Sequence, residues 1–535
     1  MTPTRRALLA APLAAALPWD VTQAQTPAGT LRVGMTASAV PLSNGVPDQG
    51  AEGHRFMGIT LYDQLVMWDL SKSDVPVTIR PALATAWRND PADNKRWIIT
   101  LREGVKFHDG KVMTAADVVF SYDRAFKADA PHFDPRAAAQ ARIRMPTIVS
   151  WRAEGPLTFI IETRIPDSLV PFGLTWVGIT HQGAWEAAGR DWDRFLDRAV
   201  GTGAYRLETF AVRERCVMLR NNDYWDTGRI PRHERLILLP LPEANTRVAA
   251  IRANQVDFIE APPPDAIPAL RNAGITVVSN TYPHNWTWHL NMSEGSPWRD
   301  IRVRKAANFA IDRAGIRSML GDMMVPGAGL LPPAHPWHGT PREPIRTDLA
   351  AARRLMTEAG FSRANPIRTR VGISTSGSGQ MQPLPMNEAI QQNLREIGIE
   401  VTFEVMEWNA LLTIWRDGAR APSNRGISAI NISYAALDPF TALIRFLKSD
   451  LVPPAANNWG YFNDAWYDDI ITRVYTEFDA VAQARLLSEL HARVVDDALF
   501  LFVAHDLNPR ATSRRVQGFV QAQSWFQDLT PIRMG

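Results

Sequence analysis

The chain has 535 residues, with 58 Lys and Arg against 55 Asp and Glu and a formal net charge of +3. That length exceeds the roughly 250–300 residues at which one hydrophobic core stops growing, so more than one folding unit is expected. The balanced charge carries no basic run of the kind nucleic acid requires, and a single cysteine, Cys216, excludes an intrachain disulfide and reads as a small buried residue.

Residues 1–24 read as an export address. Arg5 and Arg6 precede an Ala-rich apolar run that ends at Leu17, and Thr22-Gln23-Ala24 supplies the small residues that signal peptidase reads, placing cleavage near Ala24. The paired arginines before Leu8-Leu9 fit a twin-arginine signal and an ordinary Sec signal equally well. No cysteine follows the cleavage region, which argues against a lipoprotein anchor. The leader is too short to cross a bilayer, and no later segment reaches 18 uninterrupted apolar residues, so no membrane span is expected.

After the leader, strands and helices alternate. Residues 31–35 (LRVGM) read as a strand, 38–53 as a polar loop of a length that is often functional, with Gln49 in it, and 55–65 as a helix. Trp97, Ile99 and Leu101 alternate with polar positions as a strand does, and the pattern resumes at 105–107 before a tight His108-Asp109-Gly110 turn. Thr114 caps a helix, with Asp117 three residues on as a short-armed capping box, and Val118, Val119, Phe120, Tyr122 and Phe126 form its apolar side. Residues 156–164 give another strand, and 191–197 a polar–aromatic connector. The Gly201-x-Gly203 pair precedes a strand rather than a helix, so its amides would not converge on a phosphate, and it reads as structural.

Strands follow at 217–219, 236–239 and 256–259, with a helix at 244–254. Residues 286–291 alternate again and lead into a last large unit; at most one of Trp286 and Trp288 is expected to face a cleft. Asp300 caps a helix whose Val303, Ala306, Ala307, Ala310 and Ile311 share one face, and Asp348 caps another that Gly360 stops. Then come a strand at 371–373, a polar loop, a helix at 386–397, a strand at 400–406, and late helices at 466–477 and 480–496.

No nucleophile elbow, His-Glu-x-x-His, Walker loop or Cys-x-x-Cys is present. His335 and His338 have metal-like spacing but sit in a Pro-rich loop without further nearby ligands, so neither metal nor cofactor is expected.

Six ordered segments carry a resemblance: 81–87 (PALATAW), 97–126, 201–205 (GTGAY), 220–226 (RNNDYWD), 302–312 (RVRKAANFAID) and 351–361 (AARRLMTEAGF). Together they resemble the peptide/nickel-binding class, family 5, of bacterial ABC-transporter solute-binding proteins. The resemblance implies an α/β, two-lobed periplasmic-binding-protein fold, type II-like, with an extra α/β subdomain and a hinged cleft. On that template a first domain takes residues 25–58, 199–282 and 508–535, the extra subdomain 59–198, and the second lobe 283–507. It also implies a non-enzymatic periplasmic monomer that captures a peptide-like or other small polar organic solute and delivers it to inner-membrane ABC permease subunits. The competing reading is an exported hydrolase working in the same cleft.

The resemblance points to the loop 374–385, with Ser376 and Gln380, as ligand-facing. It also points to the Glu407-Trp408 pair and to 432–439, with Tyr434 and Asp438; Trp286 and Gln49 complete the expected set. In peptide-binding members a Trp-x-x-Asp pattern precedes the Asp-Pro or Glu-Pro, and its Asp pairs with the peptide ammonium. Counting back from Pro439, that position is Ala435. A buried ammonium without a carboxylate is strongly penalised, so the usual peptide anchor is missing. Asp438, beside Pro439, is expected to cap the following helix.

Overall fold

The computed structural model describes residues 29–46, 52–282, 284–375 and 381–535. Three main sheets organise them. The first is seven-stranded, in the order Thr276–Val278, Arg510–Thr512, Phe258–Glu260, Thr30–Met35, Arg235–Pro240, Arg215–Arg220, Tyr205–Ala211. Thr30–Met35 runs parallel to both of its neighbours, and Leu31, Val33 and Met35 bury one side against Leu236, Leu238 and Phe258. Near the C-terminal end, Arg510–Thr512 is inserted between Phe258–Glu260 and Thr276–Val278.

A four-stranded antiparallel sheet, in the order Ala84–Asp90, Asp93–Leu101, Thr158–Thr163, Ile148–Ala153, forms the extra subdomain. Trp97, Ile99 and Leu101 point inward, as their alternation predicts, and meet Val118 and Tyr122 of the helix Ala115–Phe126. Both halves of the capping box at Thr114 and Asp117 form.

The second lobe is a six-stranded sheet, in the order Met324–Pro326, Phe500–Asp506, His284–Leu290, Ile427–Ala435, Ile367–Ser374, Ile399–Met406. One face packs Trp286, Trp288, Leu501 and Val503 under the helices Ile301–Ala310, Leu349–Glu358 and Pro383–Arg395. The other packs Ile430, Ile432, Phe500 and Phe502 under Trp408–Asp417, Ala465–Thr476 and Ala480–Asp496. Asp300 and Asp348 cap their helices as read, and Gly360 takes the positive φ, 89°, that ends the second.

Three local expectations change. The helix expected at 55–65 is a short π-helical turn, His54–Gly58. The residues beyond it spend their polar groups elsewhere. Gln64 donates to the Gly58 carbonyl (2.6 Å), and Asp63 accepts from Thr202, Tyr224 and Trp225. Residues 105–107 contribute only an isolated bridge, Lys106 to Val112, because the turn closes at once through Phe107 N to Lys111 O (2.8 Å). The connector at 191–197 contains a short 3-10 helix, Arg194–Arg198.

Gly201 and Gly203 are structural, through close approach. A side-chain carbon on Gly203 would collide with the Thr60 carbonyl and the Leu61 backbone, and one on Gly201 with the Leu61 carbonyl. Gly203→Ala should therefore destabilise the protein by about 1–3 kcal/mol. Gly228→Ala, whose added carbon meets nothing closer than an Asp226 oxygen at 3.5 Å, should be within about 1 kcal/mol of wild type in denaturant unfolding.

Candidate functional site: the cleft between the lobes

The chain passes between the two large sheets at 278–284 and again at 506–510. These crossings are tied together by Asn280 N to Leu507 O (3.0 Å), and the Asn280 side chain donates to the carbonyls of Ser73 and Gln521. Just inside the first lobe lies a buried ionic network. The Arg55 guanidinium bonds Glu52, Glu260 and Gln527, Arg510 bonds Gln527 (2.6 Å), and Arg55 stacks over Trp525 (4.7 Å). Burial raises the Glu52 carboxyl even with Arg55 beside it. Removing the cation would strand two buried carboxylates, so Arg55→Met should lose about 3–5 kcal/mol of unfolding free energy.

The second lobe presents a polar row to this junction. Register places Asn285 opposite Tyr434 on one side and opposite His505 on the other, so the three side chains share one face near the ends of three adjacent strands. The Tyr434 hydroxyl, the Asn285 carbonyl oxygen and both His505 ring nitrogens are buried without a hydrogen bond of ordinary geometry among the described residues. Burial holds the His505 imidazole neutral, its pKa lowered to about 3.

After the strand Ile427–Ala435 the chain turns at Asp438-Pro439. Asp438 accepts from Thr441 N (2.8 Å), while the Thr441 hydroxyl accepts from Leu437 N and Asp438 N (both 3.0 Å). This local knot starts the π-helical turn Phe440–Ile444, which continues through Arg445–Leu447 and folds Arg445 back beside the polar row. Its guanidinium lies 4.5 Å from the Phe446 ring centroid, 5.0 Å from Tyr434 and 5.6 Å from Trp415. Burial lowers its pKa to about 10.

The first lobe supplies the facing wall. Trp176 stacks on His54 (4.7 Å), and Arg144 lies over the Trp176 ring (3.7 Å). Trp68, Leu70, Trp176, Ala522 and Phe526 close on Leu437, with Phe172 and Ala435 against the same cluster. Farther out the lobes touch through Ser168, which donates to the Tyr475 carbonyl (2.8 Å) and accepts from Gln483 (2.7 Å). The arrangement is thus closed. Arg144, Arg445 and Asp438 feel one another's charge across the gap. Burial lowers Arg144 to about 9, helped by Arg445, and raises Asp438 against the Thr441 bonds and both guanidiniums.

Of the residues expected at the site, Tyr434 lies in the polar row, and Asp438 caps the turn that delivers Arg445. Trp408 opens the helix Trp408–Asp417 and is half-buried against the second-lobe core, while Glu407 caps that helix through Asn409 N (2.7 Å). Trp286 is a correction. It and Trp288, two residues apart, lie on the same face of the strand, and Trp286, 1% exposed, packs in the helix-covered core. Gln49, Ser376 and Gln380 lie outside the described residues. His338 bonds the Leu331 carbonyl through Nδ1 (2.9 Å) and His335 accepts from Trp337 N (3.2 Å), so both serve the loop fold; among the described residues no three potential ligands cluster for a metal. Sequence reasoning missed Arg144, Arg445, Asn285 and His505. The available signal was Arg445, a lone cation within the apolar run 440–447.

Two lobes joined by two crossings, with aromatic and charged side chains where they meet, define a two-lobed binding-protein architecture. The chain belongs to the bacterial extracellular solute-binding proteins, family 5: the model of that family's middle region matches residues 78–450. It is 23% identical to the periplasmic oligopeptide-binding protein OppA of Haemophilus influenzae over 90% of both chains, and 24% identical to heme-binding protein A of the same species over 86% of this chain and 84% of that one. The crystal structure of a dipeptide binding protein from Pseudoalteromonas sp. SM9913 in complex with Met-Leu superposes with a TM-score of 0.80 at 20% identity, covering 95% of this chain and all of that one. The protein is accordingly a bacterial extracellular solute-binding protein. The hydrolase alternative draws no support from these relatives. Among the described residues no helix is long and apolar enough to cross a membrane.

His289 lies beneath this site, edge-on to Trp415, Tyr434, Phe446 and Phe500, with its pKa lowered to about 3 by burial and then by the Arg445 charge. A folded-state value below the unfolded 6.5 means that the unfolded chain binds the extra proton. Its stabilisation is therefore complete above about pH 6.5 and is lost as pH falls toward 3. Relative to His289→Phe, the wild type should lose up to about 1.4 kcal/mol more per pH unit below 6.5, read from denaturant unfolding between pH 7 and pH 4.5.

Proposed function

We propose that this protein captures a small organic solute in the periplasm, between its two lobes, and hands it as a monomer to inner-membrane ABC permease subunits. The leader-like segment ending near Ala24 fits that location. The observation that carries the reading is the meeting of the lobes: Trp68, Trp176 and Phe526 of the first lobe pack on Leu437 of the second, whose sheet carries the buried polar row Asn285, Tyr434 and His505, both His505 ring nitrogens being without a hydrogen-bond partner among the described residues. Specific ligand sites combine apolar walls with a few fixed polar groups in this way. Relatives are named for oligopeptides and for heme, but here Ala435, packed against an apolar cluster, stands where the resemblance places the ammonium-binding Asp. We therefore favour a peptide-like or modified small solute without a free α-ammonium anchor, with Tyr434 as a contact surface and Trp408 at the margin.

Native mass spectrometry of the mature protein as purified, followed by thermal-shift titration with the compound released, tests this. The expected result is a one-to-one adduct whose compound stabilises the folded state by about 2.7 kcal/mol at a hundredfold excess over Kd. A compound that is consumed rather than retained would contradict the transport reading.

A further inference from the structure

We propose that the captured solute carries an anionic oxygen group, a carboxylate or a phosphate-type oxyanion, gripped by the Arg445 guanidinium while Arg144 closes over it from the facing lobe. The inference rests on the solute-binding reading above and adds the solute's charge and the residue that reads it.

Arg445 is 8% exposed, hemmed by Tyr434, Phe446 and Trp415, and its guanidinium makes no hydrogen bond or ion pair among the described residues. A buried cation in that condition is strongly unfavourable unless something completes its shell. Four other deep arginines are well satisfied. Arg313 donates to the carbonyls of Asn308 and Phe502, Arg304 to those of Trp298 and Asp497, Arg247 to those of Leu241, Glu260 and Ala261, and Arg55 to Glu52 and Glu260. Asp438, the carboxylate in reach, is engaged by Thr441 and forms no ion pair with Arg445.

The surroundings suit an oxyanion. A guanidinium presents parallel N–H donors that match two oxygens of one group. The Tyr434 ring lies beside the same guanidinium, and its hydroxyl, next to Asn285, is a further polar group there. Asp438 feels both guanidiniums yet is held by Thr441, so an incoming anion would bring Arg445 an oxygen partner that Asp438 does not give it. At Ala435, where an ammonium would be read, the wall is apolar.

The test uses the mature full-length protein, wild type, Arg445→Met and Arg445→Lys, titrated by calorimetry and thermal shift. The probes share one skeleton: N-acetyl-Gly-Phe (anion), Gly-Phe-amide (cation) and N-acetyl-Gly-Phe-amide (neutral), with phenyl phosphate as a second oxyanion. Without probe, Arg445→Met should melt higher than wild type, because an uncompensated buried charge is gone. Oxyanion probes should bind wild type and lose about 10- to 100-fold in affinity in Arg445→Met, with partial recovery in Arg445→Lys. The ratio between N-acetyl-Gly-Phe and phenyl phosphate then tells carboxylate from phosphate. If the neutral or cationic probe binds best, and equally to wild type and Arg445→Met, the anion inference is overturned while solute binding stands. If Arg445→Met melts lower without probe and no oxyanion binds, Arg445 is a packing residue. The inference then fails, and the solute-binding reading is judged separately by the co-purified compound.

Discussion

The architecture depends on the chain passing between its two large sheets at only two described places, which must bend together. Asn280 makes that possible by bonding Leu507 across the crossings and anchoring both to the first lobe through Ser73 and Gln521. Each lobe has a core of its own, and between them lie the Ser168 contacts, the aromatic cluster around Trp176 and Leu437, and Leu169, which reaches from the extra subdomain into the second lobe's core. Such a molecule converts binding into shape, because a solute touching both walls favours the closed form by its differential contacts alone.

Two buried arginines on either side of the crossings show how differently the chain spends a cation. Arg55 is enclosed by Glu52, Glu260 and Gln527 and fixes the first lobe's end of the junction. Desolvation is offset there by charge-assisted bonds, and the network behaves as a rigid seat. Arg445 is enclosed by rings instead. A fold that satisfies one guanidinium so fully and leaves another without an acceptor stores electrostatic demand at the cleft, where a solute can meet it.

Much of the scaffold was legible in the sequence because its signals are local. The capped helix after Thr114, the alternation through Trp97, Ile99 and Leu101, and the Asp300 and Asp348 caps each follow from neighbours within a few residues. The 55–65 segment misled because Asp63 finds partners that only the tertiary fold supplies, among them Thr202, Tyr224 and Trp225, far along the chain. The site was read unevenly for the same reason. Tyr434 and Asp438 lie on a segment with a family pattern, whereas the row of Asn285, Tyr434 and His505 exists only through strand pairing between residues 149 and 220 positions apart. Trp286 looked like a cleft residue because an aromatic on an alternating strand gives no sign of which face is covered by helices.

The central claim is that the lobes close on a solute, and the distance between two spin labels, one on each lobe, measures this directly. Cys216 is fully buried and would not compete for the label. The account predicts a broad, longer distance distribution for the solute-free protein that narrows and shortens when the co-purified compound is restored. Identical distributions with and without that compound would contradict it.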